Sequence, residues 1–396
     1  MKPLRVLSLS TLYPNDLTPN FGVFVERQMQ AVMRRGDVDL TLVNPLGIPP
    51  FPLWLHPRYR DLRDLPQEEM RGKVPVLRPH FRLLPGVGAR FNARAEAEAV
   101  LPLARRLHAG QPFDVIDAQF FYPDGPAAVA VGQALGLPVS IKARGADIHH
   151  WGKEPATAAQ VLAAGQAADG LLAVAQGLAD DMAALGIDPA KIRLHRTGLD
   201  ADLFREYDRK ICRDELGLPR DARVLASVGA LIPRKGQVFA IEALAELEEN
   251  THLVLAGAGA DETSLRARTA ALGLAERVHF LGPISHARIP IVLNAADVFV
   301  LPTASEGLAN AWVEALACGT PVVTTPIPGA QELITDPAWG RLAERSGPAI
   351  AAAVREVLAQ NTPRETVMQG AAGFSWEANA AALVDHWREL AGKARG

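Results

Sequence analysis

The sequence predicts an α/β protein built from two Rossmann-like domains, and two observations carry that expectation. Short apolar runs alternate with longer helical patterns throughout the 396 residues. Runs rich in valine and leucine are what strands buried on both faces of a parallel sheet require. The runs also fall into two successive series, which gives one sheet per domain.

The first series is expected at Val6–Ser10, Leu40–Asn44, Val115–Ala118, Val139–Lys142, Leu171–Val174 and Ile192–Arg196. The second is expected at Val224–Gly229, Leu253–Gly257, Val278–Gly282, Val298–Leu301 and Val322–Thr325. Between the series, Thr197 to Leu218 is polar and charged, and the domain boundary is placed there. Trp376–Leu390 reads as one amphipathic helix after the second sheet, in position to cross back onto the first domain. The expected organisation is therefore a first domain over 1–196, a second over 197–375 and a returning helix over 376–396. The segment from Pro45 to Gly88 reads as irregular, with many prolines and arginines.

Composition bounds the function. A chain this long supports two real cores, and 48% hydrophobic with 21% charged residues is ordinary for a soluble protein. A formal net charge of −3 argues against a general nucleic-acid binder. The two cysteines, Cys212 and Cys318, make neither a disulfide framework nor a zinc cluster. No apolar run approaches the ~18–20 residues of a membrane span, and the chain opens on the strand-like Leu4–Ser10 with no cleavable leader pattern. The expected location is the cytoplasm. One segment qualifies this: residues 71–94 carry six Lys and Arg and no acid, with Val, Leu and Phe interleaved. Such a face is either a solvated surface insertion or a peripheral contact with the anionic inner face of a membrane or a phosphorylated acceptor.

The segment richest in chemistry is Glu306-Gly307-Leu308-Ala309-Asn310-Ala311-Trp312-Val313-Glu314. It follows the expected strand Val298–Leu301 and leads into a helix that Asn310 is expected to cap and that Gly319 and Pro321 end. Free backbone N–H groups at such a helix start attract anions, and a diphosphate fits best. Acids beside an anion site need another partner, and sugar and ribose hydroxyls supply one. The structural alternative is two exposed acids complementing the helix dipole. Taken together these features point to a nucleotide-sugar. Gly229-Ala230-Leu231-Ile232-Pro233-Arg234-Lys235-Gly236 follows the first strand of the second series, at the sheet edge where ligands bind. Lys235 there acts as a point charge on a diphosphate and Arg234 as a bidentate clamp, or the segment is only a solvated basic turn.

In the first domain, Arg144-Gly145-Ala146-Asp147 occupies the corresponding edge. It reads either as a ligand-approaching arginine or as a turn closed by an internal Arg144–Asp147 ion pair. Pro19-Asn20-Phe21-Gly22-Val23-Phe24-Val25 lies between the first strand and first helix. Gly22 would let the backbone approach a phosphate or acceptor group, or is an ordinary helix start. Gly257-Ala258-Gly259 imitates a dinucleotide fingerprint, but Glu262 stands at the third glycine position. The histidines show no metal-ligand spacing.

These stretches, with Thr197-Gly198-Leu199-Asp200, Phe204, Phe280-Leu281-Gly282, Ala295-Ala296-Asp297 and Gly319-Thr320-Pro321-Val322-Val323, resemble the retaining glycosyltransferases of family 4. The resemblance implies the GT-B fold, with parallel sheets facing across a cleft, the donor held by the second domain and the acceptor by the first. Carried over residue by residue, it implies that Lys235 stabilises the diphosphate, that Glu306 contacts hydroxyls of the transferred sugar and that Glu314 holds the ribose. Gly307, Leu308, Ala309 and Asn310 would cradle sugar and phosphate, and Pro283 and Ile284 would lie against the base. Two positions depart from the family pattern. Ala230 stands where an arginine is usual, with Arg234 available to replace its charge, and Arg144 stands where a histidine is usual. The second departure, with Phe21-Gly22-Val23-Phe24, resembles a branch that makes bacterial surface polysaccharides.

The expected catalytic residues are thus Lys235, Glu306 and Arg144. The expected donor contacts are Arg234, Gly229, Pro283, Ile284, Gly307 to Asn310 and Glu314, with Gly22 on an acceptor or phosphate loop. No metal and no cofactor is expected beyond the nucleoside-diphosphate sugar, which is the donor substrate, and the acceptor is expected to be a glycan, a lipid-linked glycan or a small molecule. The alternatives are a nucleotide-sugar-binding protein without turnover and an NAD-dependent oxidoreductase on the same sheets.

Overall fold

The computed structural model describes residues 2–19, 21–85 and 88–394. It divides into two compact units, Met1–Gly198 with Trp376–Gly396, and Leu199–Ser375.

The strands of the first unit are β1 (Leu4–Leu9), β2 (Val38–Val43), β3 (Leu46–Ile48), β4 (Glu68–Arg71), β5 (Val74–Leu77), β6 (His80–Arg82), β7 (Val115–Ala118), β8 (Val139–Ala143), β9 (Gly170–Ala173) and β10 (Ile192–Leu194). Among the described residues the main sheet runs β10-β9-β8-β7-β1-β2-β5-β4, parallel except where β4 meets β5. β3 and β6 form a separate parallel ribbon. Strand order reverses at β1, which lies between β2 and β7, so the loops after β1 and β7 flank the switch point. Val6, opposite both Leu40 and Val115, is completely buried with them.

The helix Trp376–Lys393 packs into this same core. Ala380, Leu383, Val384 and Trp387 join Val6, Leu40 and Val115 in one cluster. The fit is polar as well as apolar: Trp387 Nε1 donates to Asp117 Oδ1 at 3.0 Å. His195 Nε2 donates to the Asn379 carbonyl at 2.8 Å, which leaves Nδ1 to accept from Lys142 Nζ at 2.7 Å. Burial holds both the Lys142 ammonium and the His195 imidazole well below their usual values, so this relay ties sheet to helix without a buried charge pair.

The segment read as irregular is not. Pro45 to Gly88 contributes β3 to β6, and only Gly86 and Val87 within it lie outside the described residues. These strands escape pattern reading because they sit at or next to an edge or in a short ribbon. β4 presents the polar Glu68 and Glu69, and Pro75 interrupts β5.

The second unit holds β11 (Arg223–Val228), β12 (Thr251–Ala256), β13 (Val278–Gly282), β14 (Val298–Leu301), β15 (Val322–Thr324) and β16 (Gly340–Leu342). The sheet runs β13-β12-β11-β14-β15-β16 and is parallel throughout. β16 has three residues, too short to show a period. Strand order reverses between β11 and β14, so the loops following those two strands open side by side at the carboxyl edge. The helix Asn310–Ala317 lies directly after the second of these loops and is anchored by the wholly buried Trp312, Val313 and Leu316.

Candidate functional site

The switch point of the second sheet brings together residues distant in sequence. After β11 the chain turns through Gly229 and reaches Arg234 and Lys235. After β14 it passes Pro302 and Thr303 to Glu306. Lys235 Nζ lies 2.7 Å and Arg234 Nη1 2.5 Å from the same oxygen, Oε1 of Glu306. Thr303 Oγ1 lies 3.2 Å from that oxygen, and Arg234 also donates to the Ser305 carbonyl. The Lys235 side chain crosses Gly229, its Cε 3.8 Å from where a β-carbon would stand. Side chains of Lys235 and Glu306 are only 15% and 14% exposed, so the pair is shielded well beyond a surface ion pair.

Arg345, a residue without a sequence motif, fastens the two loops together. Its Nε donates to the Pro302 carbonyl at 2.8 Å, and Nη2 to those of Pro233 and Arg234 at 2.5 and 3.3 Å. A planar guanidinium can span the gap in this way because its donors are fixed in a fork.

The chain from Gly307 to Asn310 runs into the helix ahead of its first inward bond, Trp312 N to Ala309 O at 3.1 Å. Amides before that bond lack intrahelical partners and point along the helix axis. The cap differs from expectation. Ala309 takes the extended cap conformation (φ −72°, ψ 119°) with no side-chain hydrogen bond, and Asn310 is the first helical residue. The anion-attracting property rests on the backbone, so the loss of a side-chain cap leaves it in place. One turn on, Glu314 Oε1 is 3.0 Å from His286 Nε2. His286 follows Pro283 and Ile284 in the loop after β13; Pro283 is exposed and Ile284 half-buried. Sequence reading found Glu314 and this loop but not His286, whose role appears only when the loop is folded back.

The glycines after β12 find their reason here. A β-carbon at Gly257 would overlap the Gly229 carbonyl, and one at Gly259 that of Leu231. The incomplete dinucleotide fingerprint is a device for packing one loop against its neighbour.

In the first unit, Arg144 and the helix that starts after Gly22 share a corner. Arg144 Nε donates to the Gln119 carbonyl at 2.7 Å. Its Nη2 donates to Gln119 Oε1 at 2.6 Å and to Gln28 Oε1 at 2.9 Å. The guanidinium covers the Phe24 ring at 4.7 Å, and burial pulls its pKa down. The Arg144–Asp147 side-chain pair of the alternative reading is replaced by another arrangement. Asp147 accepts the backbone amides of Phe121, Arg144 and Gly145, which are better placed for a short carboxylate than the guanidinium. Gly22 (φ 74°) has its β-carbon position filled by the Leu12 backbone. The chain's own packing, not space for a ligand, dictates glycine there. Asn20, in the same motif, lies outside the described residues.

The basic segment 71–94 is not a continuous charged face. Arg78 is fully buried, with Nη2 2.5 Å from Glu69 Oε1, and Arg71 pairs with Glu26 at 2.7 Å. Acids outside the segment supply the partners that its own composition lacks.

Known proteins share this architecture and these segments. Residues 208–373 match the family described as Glycosyl transferases group 1, and residues 56–203 match Glycosyltransferase Family 4. TuaC of Bacillus subtilis (strain 168), which carries the name of a teichuronic acid biosynthesis glycosyltransferase, is 30% identical over 339 residues, 83% of each chain. Among solved structures, sucrose-phosphate synthase from Thermosynechococcus elongatus aligns with a TM-score of 0.80 at 20% identity, covering 98% of this chain and 99% of that one. Anabaena Alr3699/HepE, solved with UDP and glucose, aligns with a TM-score of 0.74 at 19% identity, covering 97% and 99%. The chain belongs to the family 4 glycosyltransferases. Its fold is GT-B and it is a glycosyltransferase enzyme, which removes the oxidoreductase reading.

Proposed function

We propose that this enzyme moves a sugar from a nucleoside diphosphate to a hydroxyl of a glycan, lipid-linked or small-molecule acceptor, with retention at the anomeric carbon. The observation that carries the reading is the convergence of Lys235 and Arg234 on one oxygen of Glu306, beside a helix start. Two cations held by one carboxylate oxygen are a preassembled site for a group with more negative charge, and a diphosphate supplies it. When the diphosphate takes the cations, Glu306 is released to accept hydroxyls of the sugar. Glu314, steadied by His286, accepts those of the ribose, with Pro283 and Ile284 against the base. A uridine donor is the first to test, because the Anabaena neighbour was solved with UDP and glucose.

In the proposed reaction the bond from the anomeric carbon to the diphosphate oxygen breaks, and both electrons leave with the diphosphate. Lys235, Arg234 and the amides of Gly307 to Asn310 stabilise the growing anion. The acceptor oxygen bonds to the same face, and its proton passes to the departing phosphate oxygen. Lys235 and Arg234 supply the charge that a divalent ion supplies elsewhere, so turnover is expected to persist in chelator. Arg144 is read as a contact to the acceptor or the reacting centre. The same reading makes this a cytoplasmic enzyme, and among the described residues no helix is long and apolar enough to cross a membrane.

The test is nucleoside diphosphate release from UDP-, GDP- and ADP-sugars, with and without an acceptor panel, followed by NMR of the product's anomeric proton. Acceptor-dependent release with an inverted product would overturn retention. Donor binding without release under every acceptor would overturn transfer.

A further inference from the structure

Beyond β3 the first unit carries a tip that its own core leaves open. Phe51, Leu53 and Leu55 are 74%, 50% and 49% exposed, within five residues of one another. Between them Trp54 lies half-buried under the Arg63 guanidinium, 4.4 Å from ring centre to charge. The tip continues into the short helix Pro57–Arg60 and the turn Asp61–Asp64. Arg58 and Arg63 are exposed there, as is Arg82, whose strand β6 pairs with β3 through Ile48. Among the described residues none of these three arginines has a carboxylate partner, whereas Arg60 is paired with Asp61 at 2.9 Å.

We propose that Phe51, Leu53 and Leu55 insert into an anionic lipid surface while Arg58, Arg63 and Arg82 meet its phosphates. An apolar, aromatic tip beside unpaired guanidiniums is the composition of an interfacial anchor. A five-residue tip is too small for a stable protein interface, which needs some 800 Å² on each partner. A second copy docked symmetrically would bring the same unpaired arginines face to face. An anionic bilayer neutralises them and accepts the apolar side chains without needing a matching pocket. Of the basic residues in 71–94 the patch takes only Arg82, since Arg71 and Arg78 are spent on internal ion pairs. The inference is independent of the donor reading, because lipid binding is read without turnover.

The experiment is co-sedimentation of the full chain with phosphatidylglycerol/phosphatidylcholine vesicles and with phosphatidylcholine alone, at low and high salt. Size-exclusion chromatography with light scattering gives the oligomeric state in parallel. The expected result is at least tenfold tighter binding to the anionic vesicles, weakened by salt. Phe51→Ser with Leu53→Ser and Leu55→Ser should weaken that binding at least tenfold, as should Arg58→Glu with Arg63→Glu, both with unchanged circular dichroism melts. Equal binding to both vesicle types, or full binding by the triple serine variant, would overturn the proposal. So would a dimer that the serine substitutions dissociate, since the tip would then be a contact between copies.

Discussion

Lys235 Nζ and Glu306 Oε1 stand 2.7 Å apart although 71 positions separate them, because β11 and β14 are neighbours at the point where the sheet changes direction. The contact joins a cation and a carboxylate that the proposed reaction needs apart. In the proposed reaction each therefore exchanges this partner for a group of the donor.

Lys235→Ala and Glu306→Ala are each expected to reduce turnover at least a hundredfold. Removing one preorganised charge-stabilising donor typically costs roughly 10²–10³ in rate. The double variant should lose less than the product of the two single losses, since the two groups act as a unit. Steady-state diphosphate release checks this, with melting curves to establish folding. Near-normal rates in both single variants would remove these residues from the mechanism.

Arg345 is expected to matter without touching substrate. Arg345→Ala should lower kcat about tenfold and stability by about 1–2 kcal/mol, from the loss of hydrogen bonds to three carbonyls. Arg345→Lys should recover part of the stability but little of the rate, because an ammonium can bond one loop but cannot hold both at once. A lysine variant with full kcat would show that loop alignment is not what Arg345 provides.

His286→Ala should raise the donor KM about tenfold and leave kcat within about twofold. Its imidazole orients Glu314, which in the proposed role holds the ribose in ground and transition states alike. His286→Gln, which restores a donor at similar reach, should return most of the affinity. The checking measurement is kcat and KM over a donor series. A fall confined to kcat would place His286 at the reacting centre instead.

The first unit buries an acid pair with a pH signature. Glu96 is inaccessible, with neither carboxyl oxygen partnered among the described residues. Burial pushes its pKa well above the usual range, and burial raises that of the neighbouring Asp124 to about 7. Folded-state values above the unfolded ones mean that the folded protein retains protons that the unfolded chain has released. The contribution of Asp124 is full below about pH 4 and is lost as pH rises through about 7, and that of Glu96 is likewise present at acidic pH and lost only well above the ordinary carboxylate range. Glu96→Met should therefore stabilise by about 1–3 kcal/mol at pH 8, with a smaller gain at pH 5. Urea midpoints at the two values measure it. A larger gain at the acidic value would contradict the protonated assignment.

How much of this was legible depended on where the information lay. Val115–Ala118 and Val298–Leu301 are unbroken runs of buried residues, and central parallel strands announce themselves in that way. Glu68–Arg71 and Gly340–Leu342 are edge strands whose partners decide their conformation, so no local pattern marks them. Lys235 and Glu306 could be found because each follows a recognisable strand at a sheet edge. Arg345 and His286 could not, because their partners are carbonyls and a carboxylate from other loops. Asn310 was misplaced by one position since cap preference is a weak local rule.

The helix that bears Trp387 has a consequence for how the protein is made. Val6 and Val115 are translated before the second unit, yet the side chains that complete their core, Trp387 among them, follow only after all of it. At ~5–20 residues per second the opening half must wait on the order of ten seconds, while the intervening unit emerges as one uninterrupted stretch and is free to close first. A nascent chain stalled before Trp376 would thus pair a finished second unit with an unfinished first, exposing the apolar surface that chaperones bind.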